Sequence, residues 1–158
     1  RDLGSAPSPF NCFQTIQGLE TLSVRIKQHS KNALKVAEWL EKQSQVAWVN
    51  YPGLKSSKYY ELSQKYLKDG QSGIVTFGLK GGFDSAKKLT DSTKIFSLLA
   101  NFGDSKSLII HPSSTTHQQL NDEQQKSTGV TSDLVRLSIG LEDPDDLIDD
   151  LNNAIKSV

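Results

Sequence analysis

Apolar residues recur along this chain at helical spacing, then at strand spacing, then at helical spacing again, and that alternation predicts an α/β sandwich. Phe13, Ile16, Leu19, Leu22 and Ile26 step by three and four. They predict a helix within a lead-in segment, residues 1–29, which starts irregularly at Ser-Ala-Pro-Ser-Pro (5–9), with Pro9 suited to a first helical turn. A second helix is predicted over 31–43, with Ser30 as N-cap and Ala33, Val36, Ala37 and Leu40 on one face. Residues 30–158 would form the domain proper.

Val46–Tyr51 has the β-branched and aromatic content of a strand and stops at Pro52-Gly53. Residues 56–68 follow as an amphipathic helix with Tyr59, Leu62, Tyr66 and Leu67 as its less polar side. Gly73–Lys80 alternates cleanly and predicts another strand. The stretch 84–99 is predicted helical, with Ala86, Leu89, Phe96 and Leu99 inward and a possible interruption at Asp91-Ser92-Thr93. Strands are predicted at Ser107–His111 and Leu134–Ile139, separated by a short polar helix within 118–128 that ends at Gly129. Asp143 as N-cap and Pro144 as first residue open the last helix, with Leu147, Ile148, Leu151 and Ile155 inward. The expected fold is therefore a small, mostly antiparallel four-stranded sheet with helices on one face.

Composition narrows the function classes. Lys plus Arg equals Asp plus Glu at 18 each, and the signs are interspersed, so no basic field is available to attract nucleic acid. No apolar run approaches the ~20 residues of a membrane helix. The single cysteine, Cys12, allows no intrachain disulfide, fits a reducing compartment and reads as a small buried hydrophobe between Phe10 and Phe13. The chain starts at Arg1 and contains no methionine, which suggests a segment of a longer product.

One charge stands out. In the strand Leu134–Ile139, Arg136 sits among residues that otherwise want burial, at a cost unless something anionic meets it. Its fork of donors can hold a carboxylate in two parallel hydrogen bonds, as in an amino-acid or organic-acid substrate. A structural ion pair with Asp133 or Glu142 serves equally well on spacing alone. His111 and His117 lack the companions of a metal site, and a His beside Pro at a strand end suits backbone capping. Ser113 to Thr116 could bond a ligand or merely satisfy a turn. The chain offers no phosphate loop, no nucleophile elbow and no nucleophile–base pair, hence no complete catalytic centre of its own.

Four ordered blocks carry a resemblance: RDLGSAPSPFNCFQTIQGLETLSVR, HSKNALKVAEWL, NFGDSKSLIIHPSSTTHQQL and DLVRLSIGLEDPDDLIDDL. Together they resemble the C-terminal part of the pyridoxal-phosphate enzymes of cysteine and methionine metabolism, over nearly the whole chain. Within that family the similarity is strongest to the O-acetylhomoserine sulfhydrylases, through Asn101 before Phe-Gly-Asp and the segment QQLNDEQQKSTGVTSDLVRLS. The resemblance implies the small C-terminal domain of a fold-type-I enzyme. Arg136 then takes the position that grips the substrate α-carboxylate. Asn101 replaces the serine that many relatives carry, and Thr116 matches a hydroxyl near the substrate pocket. It further implies pyridoxal 5'-phosphate bound by a large domain upstream of Arg1, together with the Schiff-base lysine, so that this polypeptide alone is inactive. O-acetyl-L-homoserine and sulfide as reactants, a homotetramer and a cytoplasmic location belong to the same implication. The alternatives are another family member, such as a cystathionine γ-synthase, a cystathionine lyase or methionine γ-lyase, or a non-catalytic domain that binds an amino acid or a protein.

Overall fold

The computed structural model describes residues 3–158. Helix α1 spans Pro9–Glu20, with Ser8 as N-cap accepting the Asn11 N–H at 3.2 Å and Pro9 in its first turn. None of its residues is buried, and Phe10, Phe13, Ile16 and Leu19 all face outward. Cys12 accordingly lies on a largely uncovered helix and is half-buried rather than buried. Helix α2 runs unbroken over Leu22–Leu40, which corrects the expected restart at Ser30. No Gly or Pro interrupts this stretch, so nothing forces a new N-terminus. Ser30 is a buried mid-helix residue, and its hydroxyl has no hydrogen-bond partner. The two halves of α2 differ. Leu22, Val24 and Ile26 are exposed, whereas His29, Asn32, Ala33, Val36, Ala37 and Leu40 are buried.

The remaining elements are β1 (Val46–Asn50), α3 (Tyr60–Tyr66), β2 (Ile74–Leu79), α4 (Gly82–Ser92), β3 (Ser97–Leu98), β4 (Leu108–Ile110), a 3-10 turn (Pro112–Ser114), α5 (Asp122–Ser127), β5 (Leu134–Ser138) and α6 (Pro144–Ile155). The sheet has five strands in the order β1-β2-β5-β4-β3, antiparallel throughout except for the parallel β3–β4 pair. The added strand comes from the segment expected to be the end of a helix. α4 stops at Ser92, and Thr93 is extended (φ −70°, ψ 149°). Beyond it the Asp150 carboxylate accepts the backbone N–H groups of Lys94, Ile95 and Phe96 at 2.8–3.3 Å. Those three donors are thereby satisfied without a helix. Leu99, expected inward, is exposed. Leu62 and Tyr66 of α3 are exposed as well.

Inward residues of β2 (Val75, Phe77, Leu79) and β5 (Val135, Leu137), with Ile139 beyond it, meet α2, α4 and α6 through Val36, Leu40, Leu89, Leu147 and Leu151. Each such side chain contributes about 1.5–3 kcal/mol by leaving water. Asp143 caps α6 by accepting the Asp145 N–H at 2.8 Å, with Pro144 in the first turn as its sequence predicts. The opposite face of the sheet points away from this core. Because side chains alternate along β5, that face receives Leu134, Arg136 and Ser138.

Candidate functional site

Arg136 is the centre of that outward face. Register places Thr76 of β2 beside it on one side and Ile110 of β4 on the other, with Asn50 of β1 beyond Thr76. Directly opposed residues on one face have Cβ atoms about 4.5–5.5 Å apart, so the four form a continuous row. Arg136 is thus flanked by Thr76 and Ile110, with Asn50 one strand further out. It is half-buried.

The two acids able to neutralise it are occupied elsewhere. Asp133 accepts the Trp48 indole N–H at 2.8 Å. Glu142 accepts both the backbone N–H and the hydroxyl of Ser107, each at 2.7 Å. The partner recorded for Arg136 is the main-chain carbonyl of Asn101, which accepts from Nη2 at 3.5 Å. That separation is the outer limit of a hydrogen bond. Among the described residues no carboxylate lies within ion-pair distance of Arg136, so its fork is left to bind an anion.

Asn101 comes to Arg136 on the loop 99–107, which joins β3 to β4. Its side-chain oxygen accepts the N–H of the next residue, Phe102, at 2.9 Å, and Gly103 supplies the positive φ (73°) that the turn requires. The structure therefore brings Asn101 and Arg136 together through the Asn101 main chain. Thr116 is placed differently. It is exposed in the turns after the 3-10 segment, with its hydroxyl 2.8 Å from the His117 ring nitrogen Nδ1 and no hydrogen bond to Arg136 or Asn101.

His111 is structural. Its Nε2–H donates to the Ser132 carbonyl at 2.8 Å, Nδ1 accepts from the Ser114 hydroxyl at 2.8 Å, and Phe83 packs edge-on at 4.8 Å. Burial lowers its pKa from the ordinary value, outweighing the stabilising bond to Ser132. Ser113, Thr115 and Gln125 likewise serve the local backbone. Two members of the row, Thr76 and Asn50, were not singled out in the sequence. Strand alternation carries the signal for Thr76, since it shares the parity that β2 sends to the face turned away from the core; Asn50 requires the β1–β2 register.

The residues here fit the acid-holding part of an amino-acid site and do not fit a whole cofactor site. Pyridoxal phosphate needs a lysine amine and a cradle of donors for its phosphate. Among the described residues no lysine makes a hydrogen bond to Asn101, Thr76 or Asn50.

The known proteins similar to this chain are longer than it. The family model for Cys/Met metabolism PLP-dependent enzymes matches residues 1–156. The O-acetyl-L-homoserine sulfhydrylase of Leptospira meyeri is 56% identical over 159 residues, covering 100% of this chain and 36% of that protein. The homocysteine synthase of Schizosaccharomyces pombe is 48% identical over 156 residues, covering 99% of this chain and 36% of that protein. A crystal structure from Campylobacter jejuni, described as an O-acetylhomoserine (thiol)-lyase with pyridoxyl-lysine monophosphate, superposes with a TM-score of 0.89 at 50% identity, over 99% of this chain and 37% of that one. The chain thus spans little more than a third of the length of these relatives. On the family match and the shared fold together, this chain belongs to the Cys/Met metabolism PLP-dependent enzyme family.

Proposed function

We propose that this chain is the substrate-holding C-terminal part of a pyridoxal-phosphate sulfhydrylase that converts O-acetyl-L-homoserine and sulfide to homocysteine and acetate. The observation that carries the reading is Arg136, a partly buried residue whose guanidinium has no acid to neutralise it among the described residues, on the sheet face turned away from the core. A guanidinium so placed takes up a carboxylate in a fork-to-fork pair and fixes the direction of the amino acid's Cα. Asn101 bounds the pocket from the 99–107 loop, and Thr116 adds a substrate-facing hydroxyl by the family resemblance. Thr76 and Asn50 offer further polar contacts. Pyridoxal phosphate, when bound by the rest of the protein, supplies the electron sink for bond-breaking at the amino acid. The names of the relatives support the acetylated homoserine as substrate. Sulfide as second reactant, a homotetramer and a cytoplasmic location complete the reading, and the uncovered apolar faces of α1 and α2 suit a chain that works only within a larger assembly.

The test pairs this chain with the full-length protein, each supplied with pyridoxal phosphate, O-acetylhomoserine and sulfide. Homocysteine from the full-length protein alone is the expected result. Turnover by the isolated chain, or none by either, overturns the reading.

A further inference from the structure

Beyond the residues that face the substrate, we infer that Glu142 is a positioning residue: it fastens the Asn101 loop to the end of β5 and so sets the geometry in which Arg136 receives a carboxylate. The inference rests on the reading just given. One carboxylate oxygen of Glu142 accepts the Ser107 N–H and the other accepts the Ser107 hydroxyl, both at 2.7 Å. The Ser107 oxygen in turn accepts the Gly140 N–H at 2.8 Å, and the Leu141 N–H donates to the Ser105 carbonyl at 2.8 Å. The corner 139–142 and the loop are thus tied at four points. A Cβ at Gly140 would collide with the Ser105 carbonyl and the Ser107 nitrogen, so the two backbones approach as closely as they do only with glycine there.

The corner is itself held from α2. His29 donates from Nδ1 to the Ile139 carbonyl at 2.6 Å, and the Asn32 amide donates to the Gly140 and Glu142 carbonyls at 3.1 and 2.9 Å. Glu142 therefore stands on a fixed base. The loop it grips is otherwise lightly attached: residues 101–103, 105 and 106 are exposed, and among the described residues Arg136 Nη2 on Asn101 O is the one side-chain bond from 101–104 to another element. Releasing Ser107 frees the Asn101 carbonyl to move relative to Arg136. Charge-assisted bonds of this kind are about twice as strong as neutral ones, which suits a clamp.

The experiment uses the full-length protein loaded with pyridoxal phosphate. Glu142→Ala is expected to raise KM for O-acetylhomoserine about 10- to 100-fold, the penalty for misplacing a bound group by roughly 1 Å, while kcat changes less. Glu142→Gln keeps an oxygen for the Ser107 N–H but cannot accept its hydroxyl, so its KM should fall between. Ser107→Ala, which spares the backbone bond to Glu142 but removes both bonds of the hydroxyl, covers the case in which Glu142→Ala does not fold and should raise KM several-fold. Tyr51→Phe, a buried change far along the chain, should lower thermal stability without moving KM. Amide exchange at Ser107 and Gly140 should accelerate in Glu142→Ala irrespective of turnover. Unchanged KM in Glu142→Ala and Ser107→Ala, with only stability lost, overturns the positioning role. Wild-type protein that makes no homocysteine sinks the underlying reading instead.

Discussion

Arg136 points one of its guanidinium nitrogens at the main-chain oxygen of Asn101, 3.5 Å away, and takes no acid in exchange. A cation committed so weakly contributes little to folding and much to any anion that arrives. In the full-length protein Arg136→Ala should cost about 2–3 kcal/mol in kcat/KM for the amino acid, roughly 30- to 150-fold, with thermal stability nearly unchanged. Arg136→Lys should recover only part of this, because an ammonium cannot form the parallel pair of bonds. Steady-state kinetics beside a melting curve decide it. Equal losses in activity and stability would show that the arginine is structural.

The fold was legible in the sequence where a period dominated and illegible where a distant side chain overruled it. Strand alternation at 74–79 and 134–138 marked both central strands and the face that carries Arg136. The helical pattern at 84–99 was genuine up to Ser92, but the edge strand β3 exists because Asp150, more than fifty residues later, takes the N–H groups that a helix would have used. Ser30 looked like a cap because Ser usually is one; here helical continuity from Leu22 to Leu40 prevails over that local preference. For the site, a lone arginine in an apolar strand was readable. The engagement of Asp133 and Glu142 elsewhere was not, because it depends on Trp48 and Ser107, which adjoin neither acid in sequence.

Asp150 follows as a stability prediction. Its buried carboxylate is the acceptor for three consecutive backbone donors, so Asp150→Ala leaves the Lys94–Phe96 turn unsatisfied. The expected loss is about 2–4 kcal/mol by urea denaturation of this chain. Asp150→Asn should lose less, since one oxygen still accepts.

Tyr51 is fully buried and its hydroxyl donates to the Ser72 carbonyl at 2.9 Å, with the Ser30 carbonyl at 3.3 Å. Burial raises its pKa. The folded chain therefore holds the phenolic proton to higher pH than the unfolded chain. The resulting stability is fully present below the ordinary tyrosine value of about 10 and is lost as pH rises from there toward the raised value. Tyr51→Phe should cost about 1–3 kcal/mol at neutral pH and flatten the alkaline limb of the stability curve.

His111 produces the opposite limb. Its pKa in the folded chain lies below the usual 6.5, so the unfolded chain protonates first as pH falls. Stability should be level above about 6.5 and decline as the pH drops through that value toward the lowered one. Urea midpoints from pH 5 to 8 should show this slope, and His111→Asn should lose that part of it. A midpoint that rises on acidification over the same range would contradict the assignment of His111 as neutral.

Helix α2 joins two unlike surfaces without a break: Leu22, Val24 and Ile26 in the open, His29 and Asn32 seated on the corner that anchors Glu142. Its 19 residues span roughly 28 Å at 1.5 Å per residue. It is a stiff lever with its fulcrum at the corner. A body that covers Leu22, Val24 and Ile26 therefore bears on the same unbroken helix that holds the 139–142 corner through His29 and Asn32. A glycine pair placed near Lys27 would break that helix into two looser segments and leave the corner's hold on His29 and Asn32 independent of whatever covers the exposed end.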